Sequence, residues 1–338
     1  TVQTGFGRRK PEVNEAIITA VNQGTLILNY VGHGSPKLWA HEHVFTQTGT
    51  IPSIKNEDYF FLTAATCDFG LFDDPTYSSS VEDMYMLEEG GLIGSFSAAR
   101  VVYARQNEKI NQEFYKNLLG GNLQDMINTT LGEAFYKTKT IRTSANDEKY
   151  HLIGDPAIRL NLPKIPASIE SVNGNDLTIP VRLSALSKVT TDGIVRNYDG
   201  SIDPSFNGEA IVTVYDSERL KPLPELGFNY HMVEPGGVIF RGRASVTDGK
   251  FDANFTVPKD ISYEVSTGKI VVYLEDAESE AVGFTEQIRI GGTDTTAIDD
   301  GEGTEIEIYY DESESSNSYL VNDDFTLVVN LADETGLN

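Results

Sequence analysis

The sequence predicts an α/β domain followed by an all-β domain, and three observations support this division. In the first half, short and almost continuously apolar strands alternate with helical stripes, which is typical of a parallel sheet with helices on both faces. From Ala167 onward, short runs of alternating hydrophobicity are separated by turn signals. A length of 338 residues fits two or three domains. We therefore predict an α/β domain at 1–163, an immunoglobulin-like β-sandwich at 164–292, and an acidic linker with the start of a further β unit at 293–338.

The first half can be assigned element by element from its hydrophobic periodicity. A helix is predicted over Pro11–Gln23, because Pro11 suits the first turn and Gly24 ends the apolar stripe. Three apolar runs predict buried strands, at Thr25–Val31, Tyr59–Thr66 and Gly91–Ser95. Three further periodic segments predict helices, at Ser79–Glu89, Asn107–Leu119 and Leu123–Thr138.

The second half shows the period of two that half-buried strands require. Predicted strands lie at Leu177–Leu183, Ala210–Tyr215, Val238–Val246, Phe251–Val257 and Lys269–Leu274. Asp248–Gly249 between two of these runs predicts a β-hairpin. Two more strands, Glu305–Tyr310 and Phe325–Leu331, would begin another β unit, which two strands cannot complete.

Charge and composition exclude several classes of function. The chain has 26 Lys+Arg against 51 Asp+Glu, a net charge of −25, which repels phosphate backbones and so disfavours nucleic-acid partners. No apolar stretch is long enough to span a membrane, and the first residues lack the apolar core of a signal peptide. Cys67 is the single cysteine, so it is a free thiol, either a small core residue or a nucleophile.

Two chemically active side chains follow the ends of neighbouring predicted strands. His33 lies between two glycines after the first strand, and Cys67 follows the next strand 34 positions later. Ligands of parallel sheets bind at the carboxyl ends of the strands, so the two residues are expected at the same edge. An imidazole there could take the thiol proton, and the Gly34 N–H could serve an oxyanion hole. A core cysteine and a structural histidine remain the alternative interpretation.

Three other clusters could bind a ligand. His41 and His43, with Glu42 between them, would share one face of a strand and could hold a metal, although a surface loop is the simpler interpretation. Glu42 could instead position His33. Acidic residues after Cys67 could select a basic substrate residue or bind calcium, although a solvated loop is the simpler explanation. The acidic linker could also bind calcium, although solubility explains its charge more simply. These residues are Asp68, Asp73 and Asp74 in the loop, and Asp294, Asp299, Asp300 and Glu302 in the linker.

The motifs resemble the gingipain family of caspase-like cysteine peptidases over about residues 1–163. In that family one apolar strand ends in His-Gly and the next ends at the nucleophilic cysteine. The segments that carry the resemblance are Tyr30–Ser35, Trp39–Ala40, Leu62–Cys67, Gly94–Ser97, Glu113–Tyr115 and Leu152–Pro156. The resemblance implies a partial caspase-like domain that needs no cofactor.

Carried over position by position, the resemblance assigns roles to individual residues. Cys67 would be the nucleophile, His33 would protonate the leaving amine, and the N–H groups of Gly34 and Cys67 would hold the oxyanion. The loop after the third strand would line the primary specificity pocket, with the residues Ser95, Phe96, Ser97 and Ala98.

Within this family, the chain most resembles the sortases of the type IX secretion system. Those enzymes lie at the outer surface of Gram-negative bacteria and remove C-terminal sorting domains from secreted cargo. They are implicated in joining the new carboxyl end to a lipopolysaccharide anchor. The resemblance therefore implies export, partners among secreted cargo and outer-membrane secretion proteins, and either hydrolysis or transpeptidation.

One departure from the family affects the expected activity. Caspase-like sheets have two strands before the one that carries the histidine, and only one helix precedes it here. No position can inherit the upstream acid that orients the histidine in gingipains, so we expect little or no activity from this polypeptide alone. The alternative function is a non-catalytic surface scaffold or adhesin with a caspase-like domain.

Overall fold

The chain forms two compact units, Thr1–Leu162 and Pro163–Asn338. The computed structural model describes residues 2–4, 7–76, 78–222, 231–234, 236–262, 264–294, 305–310 and 327–332. The predicted linker carboxylates Asp299, Asp300 and Glu302, and the first predicted residue of the last strand, Phe325, lie outside the described residues. Among the described helices, none has both the length and the apolar character needed to cross a membrane.

The first unit alternates strands and helices. Its described strands are β1 (Val2–Thr4), β2 (Gly7–Arg9), β3 (Ile27–Val31), β4 (Gly34–Ser35), β5 (Leu38–Trp39), β6 (Phe45–Thr46), β7 (Phe60–Ala65), β8 (Leu92–Ala98) and β9 (Tyr150–Gly154). Its described α-helices are α1 (Pro11–Asn22), α2 (Ser80–Tyr85), α3 (Ala104–Leu119), α4 (Leu123–Asn128) and α5 (Leu131–Ile141). Short 3₁₀ turns cover Ile51–Ser53 and Asp147–Lys149.

A four-stranded sheet with the order β3-β7-β8-β9 carries the first unit. β3, β7 and β8 run parallel, and β9 adds an antiparallel edge that the sequence did not predict. All six residues of β7 are buried, and they alternate between two hydrophobic clusters, with Leu62 in one and Phe61 in the other. Because a sheet buried on both faces needs apolar residues at every position, the continuous run was readable as a buried strand. The α/β prediction for this half is confirmed.

Two elements of the first unit differ from their predicted extents. The single helix predicted over Leu123–Thr138 is wrong, because two helices, α4 and α5, divide this segment. Thr130 begins α5 with a capping box: its side chain accepts from the Glu133 N–H, and the Glu133 carboxylate accepts from the Thr130 N–H. The third strand, predicted to end at Ser95, continues to Ala98 because β7 and β9 pair with it on both sides.

The second unit is built from strands in the part that the structure describes. In chain order they are β10 (Ile165–Val172), β11 (Asn175–Asp176), β12 (Val181–Ala185), β13 (Lys188–Val195), β14 (Gly208–Tyr215), β15 (Arg219–Pro222), β16 (His231–Glu234), β17 (Val238–Val246), β18 (Lys250–Thr256), β19 (Ser266–Glu275), β20 (Glu280–Thr293), β21 (Glu305–Tyr310) and β22 (Leu327–Ala332).

Two sheets of the second unit share β10 and one hydrophobic core. Ile165 and Pro166 pair in parallel with β20, and a register shift after Ile169 accompanies the antiparallel pairing of the rest of β10 with β13. Alternating residues from both sheets, such as Val189 on β13 and Val212 on β14, meet in that core. The result is a large β unit with a common core between two sheets.

The Asp248–Gly249 turn is present, but the hairpin predicted from it is wrong beyond the turn. Both residues have positive φ, 50° and 69°, and Thr247 and Lys250 exchange backbone hydrogen bonds of 2.9 and 3.0 Å. β17 then pairs with β14 and β18 with β13. The strands separate because each contributes its inward side chains to the shared core from a different sheet.

Candidate active site

The register of β3 on β7 brings His33 and Cys67 to the same edge of the sheet. Val31 is the partner of Ala65 at the last pair of this parallel ladder, and the Gly32 N–H donates to the Ala65 carbonyl at 3.4 Å. His33 and Cys67 each lie two residues beyond that pair, on strands that are about 4.8 Å apart. The structure therefore places the two predicted residues on adjacent strand ends.

The Cys67 thiol is partly exposed and bonded to the loop that follows β8. Its Sγ donates to the Val102 carbonyl at 3.4 Å and accepts from the Val102 N–H at 3.5 Å. The N–H bond survives when the thiol loses its proton, whereas the carbonyl contact is lost as a hydrogen bond. Movement of the Ala99–Tyr103 loop would therefore act directly on the sulfur.

His33 has an exposed side chain and a backbone held from two sides. Its carbonyl accepts from the Tyr30 hydroxyl at 2.7 Å and from the Ala40 N–H at 2.8 Å. The ring of His33 stacks on that of His41, with centroids 5.9 Å apart and planes inclined by 23°. Burial raises the pKa of Tyr30, the Ala40 backbone N–H opposes this, and the Glu42 charge adds to it, so the phenol remains a hydrogen-bond donor to His33 at neutral pH.

Gly34 lies against Thr66, the residue that precedes Cys67. A Cβ at this position would meet Thr66 Oγ1 at 2.5 Å and the Leu38 carbonyl oxygen at 3.0 Å, distances that real Cβ contacts rarely or never show. Thr66 is fully buried, and its hydroxyl has no partner among the described residues. A glycine is therefore required here for close approach of the histidine loop to the cysteine strand.

The four residues predicted for a specificity loop lie in β8 instead, so that part of the prediction is wrong. Ser95, Phe96, Ser97 and Ala98 are at most 1% exposed. The two serine hydroxyls share a hydrogen bond of 2.8 Å, and Phe96 and Ala98 point into a hydrophobic cluster. Small and apolar residues alternate up to Ala98, and β8 continues through all of them. The loop at the sheet edge therefore begins only at Ala99.

The acidic residues after Cys67 are mostly engaged within the chain. Arg100 binds Asp73 with two hydrogen bonds, of 2.9 and 2.6 Å, which lower the pKa of that carboxyl, and bonds from Thr76 lower the pKa of Asp74. Asp68 differs, because burial raises its pKa against the opposing charges of Arg100 and Lys149. The bidentate pair joins the loop after β7 to the loop after β8.

His151 supplies a pH dependence next to this pair. Burial, together with the Lys139 charge, lowers the pKa of His151 although Asp73 opposes the shift. Below about pH 6.5 the unfolded chain binds a proton that the folded chain does not, so stability contributed by neutral His151 is present above that pH and lost as pH falls. In urea unfolding, we expect the wild type to lose more stability between about pH 7.5 and 5.5 than His151→Gln does. Equal losses would contradict the assignment.

The His41–His43 segment forms a turn, in agreement with the surface loop that was the simpler interpretation, and the alternative of a strand with both histidines on one face is wrong. Ala40 and His43 have positive φ, 57° and 52°, and the His43 N–H donates to the Ala40 carbonyl at 3.2 Å. Among the described residues, no three His, Cys, Asp or Glu side chains are grouped as metal ligands. The described hydrogen bonds also include none between Glu42 and His33.

The profile of peptidase family C25, the gingipain family, matches residues 1–161. The resemblance predicted from the sequence motifs is thereby confirmed for residues 1–161, which are called the C25 unit below.

Two solved structures from Porphyromonas gingivalis are similar to the chain. One is dimeric latent PorU, at 28% identity and a TM-score of 0.42, with 68% of this chain and 23% of that chain covered. The other is the complex of RgpB pro- and mature domains, at 17% identity and a TM-score of 0.39, with 82% and 57% covered. The chain thus spans about a quarter of the PorU chain. No curated protein matches it.

Sequence reasoning missed the loop of the C25 unit that contacts the thiol. Val101 and Tyr103, on either side of Val102, are 55% and 63% exposed. In the segment after β7, Phe72 is 47% exposed and packs edge-on against His151, with centroids 5.2 Å apart. The sequence did contain a signal for this loop. Large apolar side chains follow β8 directly, and β8 lies next to the strand that precedes the only cysteine.

Proposed function

We propose that this chain carries the His–Cys dyad of a cysteine endopeptidase, with His33 and Cys67 in the roles assigned above. The observation that carries the proposal is the β3–β7 register, which puts both residues two positions beyond the same ladder pair. The C25 match over 1–161 supports a cysteine peptidase independently of that geometry.

In this reaction the Cys67 thiolate attacks the scissile carbonyl carbon, and the carbonyl oxygen becomes an oxyanion that the N–H groups of Gly34 and Cys67 would hold. Collapse of the intermediate breaks the C–N bond, and the His33 imidazolium gives its proton to the leaving amine. The resulting thioester is cleaved by water, which gives hydrolysis, or by an amine, which gives a new amide. Either acceptor returns the thiol.

We further propose a role in the type IX secretion system, as a PorU-like sortase of exported cargo at the outer membrane. The substrates would be secreted proteins with C-terminal sorting domains, and transpeptidation would transfer them to a lipopolysaccharide anchor. The motif resemblance described above supports this finer assignment. The second unit, as an immunoglobulin-like domain, would dock to secretion proteins. A net charge of −25 favours partners other than nucleic acids.

Alkylation by iodoacetamide tests the dyad, because Cys67 is the only cysteine of the chain. We expect the folded wild type to react faster at pH 7 than the same chain unfolded in urea. We expect His33→Ala to slow the reaction about tenfold or more, since an imidazole next to a cysteine makes its sulfur a better nucleophile. The rate is read from the intact mass of the full 338-residue chain.

His231→Ala is the matched control, since His231 is an exposed histidine of β16 in the second unit. Its alkylation rate should equal that of the wild type. If folded Cys67 reacts no faster than in the unfolded chain and His33→Ala leaves the rate unchanged, the non-catalytic scaffold is the better interpretation.

A further inference from the structure

The turn that follows β5 brings a second imidazole onto His33. The β4–β5 hairpin pairs Gly34 with Trp39, so the chain returns to the level of His33 within a few residues. The Ala40 N–H then donates to the His33 carbonyl at 2.8 Å, and the left-handed backbone of Ala40, with φ 57°, turns His41 back over His33. The two rings are 5.9 Å apart, within the usual range for aromatic pairs.

The turn is held in place on both sides. Trp39, fully buried, stacks on Tyr30 with centroids 4.3 Å apart and planes inclined by 6°, and the Tyr30 hydroxyl bonds the His33 carbonyl. On the other side, the Arg9 guanidinium donates to the His41 carbonyl at 3.3 Å and the Lys10 N–H donates to the Glu42 carbonyl at 3.2 Å. A non-glycine residue with positive φ persists only where its surroundings fix it, which is the case for Ala40.

We propose that His41 is a positioning residue for His33, acting through the stacked ring and not through a hydrogen bond. The inference rests on the proposed function, in which His33 must keep its imidazole aimed at Cys67. An exposed imidazole otherwise samples several rotamers, and a ring on one face restricts its rotation about the Cβ–Cγ bond.

This role differs from the one that the sequence suggested for Glu42. A carboxylate would orient His33 by accepting a hydrogen bond from a ring N–H. The contact described for the His33 ring is instead the ring of His41, the residue before Glu42. The two mechanisms differ in the residue that can be replaced without loss. If the His41 ring positions His33, phenylalanine at position 41 can replace it and the Glu42 carboxylate is not needed.

Three variants of the turn test the proposal by iodoacetamide alkylation of the full chain at pH 7. We expect His41→Ala to slow alkylation of Cys67 about two- to tenfold, the rate factor that corresponds to the free energy of one aromatic pair. His41→Phe should restore most of the wild-type rate, since it keeps the ring. Glu42→Gln should leave the rate unchanged. Trp39 fluorescence in each variant checks that the unit is folded.

A second measurement separates this proposal from the proposed function. Proton NMR of the histidine rings should show the His33 signals shifted by the ring of His41, with the shift lost in His41→Ala and kept in His41→Phe. If His33→Ala slows alkylation but His41→Ala does not, the dyad stands and the positioning role is overturned. Failure of His41→Phe to restore the rate also overturns it. If the ring shift is present but His33→Ala leaves the rate unchanged, the stack exists and the proposed function is what fails.

Discussion

Replacing Phe114 with alanine is expected to lower the free energy of unfolding of the first unit by about 3–5 kcal/mol. Phe114 lies on α3 with no exposed surface, and its ring stacks on those of Phe96 and Phe61, at 4.4 and 5.8 Å. These contacts fix helix α3 to β7 and β8, the strands on either side of the Cys67 loop. Alanine would leave a cavity that three packed elements cannot close.

Urea unfolding followed by tryptophan fluorescence measures this loss. Trp39 is the only tryptophan of the chain and is 1% exposed within the first unit, so its signal reports that unit. Tyr136→Ala is the control, because Tyr136 is 69% exposed on α5 and its removal should change stability by about 0.5 kcal/mol at most. A loss for Phe114→Ala that is no larger than the control's would contradict the packing described here.

The edge that carries His33 and Cys67 was predictable from the sequence because both of its strands read as short, mainly apolar runs. Only β7 is buried on both faces, whereas β3 is a half-buried edge strand, and the ends of the two runs gave the positions of His33 and Cys67. A parallel ladder has a regular register, so equal distances from the strand ends become proximity in space. The roles of these residues in catalysis stay predictions.

Contacts that depend on side-chain packing could not be predicted in this way. β9 joins the sheet as an antiparallel edge although its sequence is short and half-buried. β10 changes sheets, and β17 and β18 separate after an ideal hairpin turn, because the common core of the second unit decides the partners. Local periodicity carries no information about which strand lies alongside.

The site shows the same division between local and tertiary signals. The pattern His41–Glu42–His43 favoured a surface loop over a strand with a metal, and two left-handed residues, Ala40 and His43, make it a turn. Positive φ at non-glycine residues is uncommon, so the sequence alone could not give the shape of that turn. Likewise, the resemblance to caspase-like folds placed Ser95 and Ser97 in a loop, whereas pairing on both sides keeps them in β8.

Gly34→Ala is expected to destabilise the first unit by about 1–3 kcal/mol and to slow alkylation of Cys67, because the new methyl group overlaps Thr66. Thr66 is fully buried between β7 and the histidine loop, so it cannot rotate into solvent. Relief requires the end of β7, and Cys67 with it, to move away from Gly34. Trp39 fluorescence in urea measures the stability, and intact mass measures the alkylation.

Thr66→Ala supplies the internal control for this steric explanation. It removes Oγ1 and Cγ2, the two Thr66 atoms that a Cβ at Gly34 would meet at 2.5 and 3.2 Å. By itself it should cost about 1 kcal/mol, the value of one buried methyl group, since the hydroxyl has no partner to lose among the described residues. The double variant should then be more stable than the sum of the two losses implies. Additive losses would mean that Gly34 and Thr66 do not meet, and the close approach of the His33 loop to the Cys67 strand would have to be abandoned.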